Sequence, residues 1–245
     1  MCAPDPSPPP ALSALRRALR AAATPADAAF LQRFFRTGPG EYGEGDRFLG
    51  IRVPVIRRLV REYRALPLRD AVRLLQSPWH EARLCALLLM VARYRRGDAA
   101  ERGAVHAAYL ANTRRINNWD LVDASAEHIV GAHLDPARLD LLERLAHSDS
   151  LWERRIAMLA TFHWIKRGRF GPALRMAELL LGNPQDLIHK AVGWMLREVG
   201  KRDRAALEAF LDRHGPRIPR TTLRYAIERF PEAQRQHYLR RGRTN

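Results

Sequence analysis

The sequence predicts an all-α protein built as a HEAT-like or armadillo-type helical-repeat solenoid. Three observations predict it. Apolar residues recur at helical spacing along almost the whole chain, and no stretch alternates as a strand does. Short breaks of Pro, Gly, Asn and Asp separate the periodic segments. A basic residue followed by small and apolar ones returns at one register, in EARLCAL from Glu81, ERRIAML from Glu153, HKAVGWML from His189 and LRYAIERF from Leu223. Equivalent positions are Arg83, Arg155, Lys190 and Arg224, spaced 72, 35 and 34 residues apart. Helix-pair arrays repeat at roughly 34 to 47 residues, so the first interval spans two repeats.

The elements follow in order. Residues 1–10, MCAPDPSPPP, are Pro-rich and expected to form a disordered tail. Two short amphipathic helices come next, Leu12–Ala22 and Pro25–Arg36, the second entered through Thr24 as N-cap with Pro25 at its first position. Glycines at 38, 40, 43, 45 and 50 then break any helix, which makes 37–50 a loop or hairpin. A helix from Pro54 to about Tyr63 follows, and then Leu68–Gln76, Trp79–Arg95, Ala99–Asn112, Trp119–Ala132, Ala137–His147, Leu151–Arg167, Pro172–Leu181, Leu187–Gly200, Arg204–His214 and Thr221–Arg229. Residues 11–240 read as a single helical-repeat domain, ending in a basic tail at 241–245.

Charge narrows the partner. With 42 Lys and Arg against 26 Asp and Glu, the chain carries a formal +16. Such a charge repels itself unless a polyanion neutralises it, and nucleic acid is the first candidate. Cys2 and Cys85 are too few for a disulfide framework or a thiolate metal site, and Cys85 sits in the apolar run LCALLLMVA as a small hydrophobe. The N-terminus lacks the charged-then-apolar order of a secretory signal, and no apolar stretch is long enough to span a bilayer. The glycine-rich GPGEYGEGD has no following Lys-Ser/Thr and carries three acids, so it is not a phosphate loop. No HExxH or GxSxG occurs.

In a stacked solenoid, equivalent residues form a stripe. Arg83, Arg155, Lys190 and Arg224 are therefore candidate phosphate contacts on one face. Between the first two lies INNWDLVDASAEHIV from Ile116, which places an acid where the others place cations. Asn117 or Asn118 caps this helix. Trp119 and Asp123, four residues apart, share a face. A carboxylate there suits a surface that stabilises a developing cation, although an ion pair with a neighbouring Arg is the plainer reading. Trp194 lies four residues past Lys190, beside Gly193, so Trp119 and Trp194 can reach the same face. Core packing is the plainer role for any single Trp, and Trp79 and Trp152 read that way.

Four segments resemble the AlkD-like DNA alkylation-repair family: FLGIRVPVIRRL from Phe48, NNWDLVD from Asn117, LWERRIAML from Leu151 and HKAVGWMLREVGKR from His189. The resemblance covers about 30–230. It implies a C-shaped solenoid of HEAT-like repeats cradling duplex DNA on a basic concave face. It further implies a catalytic role for Asp123, contacts from Trp119 and Trp194 to the damaged nucleotide, and a hold on the DNA backbone by Arg155. Recognition through backbone and sugar, without a pocket for a flipped base, is also implied. Two departures stand out: Asn118 replaces a second aromatic before the motif Trp, and the Gly-rich 37–50 segment looks like an elaboration.

The expected function is therefore a DNA-repair glycosylase that hydrolyses the N-glycosidic bond of N3- or N7-alkylated purines in duplex DNA. The expected protein is a cytoplasmic, nucleoid-associated monomer needing no cofactor, metal or membrane. Two alternatives stay open: a noncatalytic binder of branched or damaged DNA, and a scaffold for an acidic protein.

Overall fold

A computed structural model describes residues 10–241. Its described residues form helices joined by turns, and their only extended pairing is an isolated parallel bridge between Arg47 and Trp79. The chain divides into two compact units, 1–125 and 126–245. The expected tail over 1–10 lies outside the described residues except for Pro10, which opens the first helix. Cys2 and 242–245 also lie outside them.

The first unit contains α1 (Pro10–Ala21), α2 (Pro25–Phe34), α3 (Val53–Glu62), α4 (Leu68–Leu75), α5 (His80–Arg96), α6 (Ala99–Leu110) and α7 (Trp119–Asp123). Its core is centred on α5, which packs against α3, α4, α6 and α7. Cys85, Ala86, Leu87 and Met90 of α5 are fully buried, and burial pushes the Cys85 thiol up to about 12. Arg93, Arg95 and Arg96 crowd the last turn of α5, where the helix dipole favours cations. Thr24 does occupy the N-cap of α2, but its hydroxyl makes no capping bond; instead its backbone N–H donates to Leu49 O at 2.9 Å. The segment 37–50 holds turns and irregular backbone, with Arg47 in the isolated bridge to Trp79. Its turns end at Gly45, and the residues after them lie against the start of α5, where His80 N–H donates to Arg47 O at 2.8 Å.

The second unit begins with a π-turn, Glu127–Gly131, followed by α8 (Asp140–Ala146), α9 (Leu151–Ala160), α10 (Phe162–Ile165), α11 (Gly171–Leu180), α12 (Asp186–Gly200), α13 (Arg204–His214), α14 (Arg220–Ala226) and α15 (Glu232–Arg241). Here α12 is central, packing against α9, α11, α13 and α14. Ser150 caps α9 and Asp203 caps α13 by accepting from Glu153 N and Ala206 N. The spacing at α12–α14 depends on Gly193. A Cβ there would lie 2.5 Å from Tyr225 Cβ and 2.6 Å from Thr222 O, so only glycine lets these helices approach so closely.

Two expected helices are each broken by a hydroxyl. In Trp119–Ala132 the ladder stops after Asp123, where Ser125 Oγ donates to Leu121 O at 2.6 Å and meets Tyr109 Oη at 3.0 Å. In Leu151–Arg167 it stops at Thr161, whose Oγ1 donates to Met158 O at 2.6 Å. Hydroxyls that bond back to the preceding turn compete with the backbone ladder and bend helices.

Candidate functional site

In the first unit, α7 carries Trp119 and Asp123. Asn118 is the cap: its Oδ1 accepts from Trp119 N at 2.8 Å while its Nδ2 donates to Asp46 Oδ2 at 3.0 Å. Asn118 is fully buried. The side chain therefore ties α7 to the glycine-rich segment, a role an aromatic at this position could not fill. Trp119 is half-buried, its ring stacked on Phe35 at 5.2 Å and 20° and edge-on to Phe34 at 6.1 Å. Asp123 is half-buried one turn further on, close enough for its charge to help raise the pKa of the buried Tyr109 hydroxyl, on which burial acts most.

A buried charge network that sequence reasoning missed supports α7. Asp46 and His80 are almost inaccessible. The imidazole of His80 bridges two carboxylates, with Nδ1 2.8 Å from Asp46 Oδ2 and Nε2 2.8 Å from Asp120 Oδ2. Burial by itself depresses the His80 pKa, but Asp120 and Asp46 outweigh it and raise the value to about 9. The ring is therefore a cation at neutral pH, and both nitrogens donate. Burial pushes Asp46 the other way, yet His80 and Arg83 hold its carboxyl down at about 2. Two cations face two carboxylates, so the cluster is locally neutral. Asp120, read from sequence as a first-turn acid, spends its Oδ2 on this bridge. The adjacent Glu81 is also buried, and its carboxylate accepts the N–H groups of Leu49, Gly50 and Ile51 at 2.8 to 3.1 Å.

Arg83 needs a correction. It was expected to contact phosphate, but it is buried, pairs with Asp46, and donates to the carbonyls of Ser77 and Pro78 at 3.3 Å. A guanidinium so enclosed offers nothing to an external anion.

The second unit holds the other predicted residues on neighbouring helices. Arg155 on α9 is buried, and its Nη1 donates to Leu187 O in the first turn of α12 at 2.7 Å. Lys190 on α12 pairs with Asp186 at 2.8 Å and remains substantially exposed. Trp194 is half-buried, edge-on to Phe162 with ring centres 5.8 Å apart. Arg224 on α14 is exposed. Thr222 Oγ1 donates to His189 O at 3.1 Å, joining α14 to α12. The common register therefore marks equivalent places on stacked helices α9, α12 and α14, but their cations differ in exposure. Gly193 gives its space to α14, not to a ligand beside Trp194.

The match to known proteins decides what these pieces belong to. The family model described as DNA alkylation repair enzyme matches residues 15–230. The chain belongs to the DNA alkylation repair enzyme family. A solved structure described as a predicted DNA alkylation repair enzyme from Enterococcus faecalis superposes with a TM-score of 0.65, covering 86% of this chain and 97% of that one at 19% identity. At that identity the likeness is one of fold. No curated protein matches the chain. Family membership makes DNA the substrate class. No described helix of this DNA alkylation repair protein is long and apolar enough to cross a membrane.

Proposed function

We propose that the protein is a glycosylase that removes N3- or N7-alkylated purines from duplex DNA, with Asp123 as its catalytic carboxylate. The observation that carries this reading is Asp123 itself, a partly accessible acid one helical turn from Trp119 in a strongly cationic chain. Alkylation at N3 or N7 puts a positive charge on the purine, so the base leaves as a neutral group and needs no general acid. The glycosidic bond breaks towards an oxocarbenium-like sugar. A fixed carboxylate stabilises that charge as it develops and orients the attacking water, which gives its proton up as the C1′–O bond forms. Trp119 packs against the sugar beside Asp123 and keeps bulk water away. Lys190 and Arg224 supply phosphate contacts. Arg155 acts by fixing the first turn of α12, which leads to Lys190 and Trp194, not as an open phosphate contact.

The noncatalytic alternative rests on the net charge and on the glycine-rich segment read as an insertion. That support weakens, since 37–50 is folded in and anchored through Asp46 and Glu81. The test is release of 3-methyladenine and 7-methylguanine from methylated duplex DNA. Asp123→Asn should lower the excision rate by about 10²-fold or more while DNA affinity at fixed salt is kept. No release by the native chain, with DNA binding intact, overturns the proposal.

A further inference from the structure

One corner of the first unit gathers cations that neither the repeat register nor the proposed reaction uses. A recess of about 270 Å³ lies between α1, the end of α4 and the turn that leads into α5. Arg16 and Arg20 of α1 line it together with Arg73 of α4, beside Gln76 and Trp79. Two more arginines adjoin those walls. Arg115 Nε donates to Gln76 Oε1 at 3.0 Å, and the Arg47 guanidinium lies 5.5 Å from the centre of the Trp79 ring. The buried Arg83 braces the same wall, since the carbonyls it holds belong to Ser77 and Pro78, which both line the recess. Arg20, Arg47 and Arg115 are exposed, and Arg16 and Arg73 are half-buried.

Little negative charge answers these cations. Asp70 pairs with Arg73 at 3.5 Å and Asp46 pairs with Arg83. Among the described residues no carboxylate pairs with Arg16, Arg20, Arg47 or Arg115. Helix dipoles favour Arg20 and Arg73 in the last turns of α1 and α4, which leaves the other three without a reason. Arg16 and Arg20 stand four residues apart on one helix face, where like charges repel unless something neutralises them. A free phosphate ion can engage the three arginines of the recess but not the two beyond it. Duplex DNA, with one charge per about 1.7 Å of helix axis, can engage all five.

We propose that this corner is a further contact to the phosphate backbone of duplex DNA, with Arg16, Arg20 and Arg73 closing on one phosphate and Arg47 and Arg115 meeting its neighbours. The corner takes over, in the first unit, the task that the repeat register assigned to Arg83. Contacts of this kind fix where a duplex lies without reading its sequence. Trp79 directly precedes His80, and Arg115 comes four residues before Trp119, so the corner adjoins the network that holds α7. The proposal rests on DNA as the partner and not on the glycosylase reading.

The test is affinity for an undamaged duplex as a function of salt, so that its failure is separate from any failure of excision. Arg16→Ala/Arg20→Ala should make the slope of log affinity against log salt shallower by about 0.9, the value of one phosphate contact. Arg115→Ala, at an exposed position outside the α-helices, should remove about 0.9 independently. Arg17→Ala/Arg69→Ala takes the same charge from exposed positions on α1 and α4 that do not line the recess, and should leave the slope unchanged. The urea midpoint of each variant should match the parent's. An equal loss of slope in the control pair, or no loss in either corner variant, overturns the proposal. Inorganic phosphate should displace the duplex no better than chloride at equal ionic strength. Selective displacement that Arg16→Ala/Arg20→Ala abolishes would make the corner a small-anion site and overturn the DNA assignment. Poly-glutamate that binds as tightly as DNA, and is weakened by the same pair, would overturn it in favour of an acidic protein.

Discussion

The first turn of α5 and the face of α14 present the same sequence signal, a cation ahead of a small-and-apolar run, and use it in opposite ways. At α5, Arg83 is enclosed with Asp46, His80 and Asp120. At α14, Arg224 stands in solvent. The difference comes from what lies opposite. The segment 37–50 brings a buried carboxylate to α5 from far along the chain, whereas α14 has its buried side filled by α12 and leaves Arg224 uncovered. Register along a repeat therefore locates a side chain on its helix but does not say whether another segment covers it.

The strongest way to break this contrast is Asp46→Ala. It leaves Arg83 and His80 buried without their shared partner and should cost about 3 to 5 kcal/mol, read from the midpoint of urea unfolding. A loss of surface size would mean that the network does not hold the segment.

Next in size is the proton on His80. Its folded pKa is raised from the ordinary 6.5 to about 9, so its contribution is fully present below pH 6.5 and is lost as the pH rises through about 9. Unfolding free energy should fall across that window by an amount of the order of 3 kcal/mol. His80→Gln should flatten the slope, and an unchanged slope would assign it to other groups. In the second unit, Gly193→Ala should cost about 1 to 3 kcal/mol by forcing α12 and α14 apart, measured in the same unfolding experiment. Smallest in stability is Arg224→Ala, expected within about 0.5 kcal/mol of the parent. Its effect should appear in DNA binding, where the slope of log affinity against log salt becomes shallower by about 0.9. If Arg83→Gln, at a temperature where it stays folded, flattened that slope as much, the contrast between the two arginines would collapse.

Most helices were legible because apolar spacing is a local property. Their breaks at Asp123 and Ala160 were not, because a mid-helix Ser or Thr ends a ladder only when its hydroxyl turns back to the preceding carbonyl, and for Ser125 that depends on Tyr109 across the core. The last helix, α15, escaped notice because EAQRQHYLRR has too little apolar content to show a period. Among the candidate site residues, the Trp119–Asp123 spacing was readable from helix geometry alone. Asp46 and His80 were not, since partners 34 residues apart leave no local trace. The exposed rings of α2 did leave one: FLQRFF from Phe30 puts Phe30 and Phe34 on a helix that buries none of its residues, with the buried Phe35 just past its end.

The clamp that Glu81 closes on Leu49–Ile51 has a consequence for how this stretch can vary. Gly50 sits at φ +81, and a Cβ there would fall 2.0 Å from Thr24 O. A few residues earlier Pro39 and Glu41 face solvent, and nothing would meet a Cβ at Gly40. A randomised library across 38–51 should therefore return almost any residue at 39 and 41 and almost nothing but glycine at 50. The stretch is a spacer at one end and a latch at the other, and insertions that lengthen it have only the first end in which to settle.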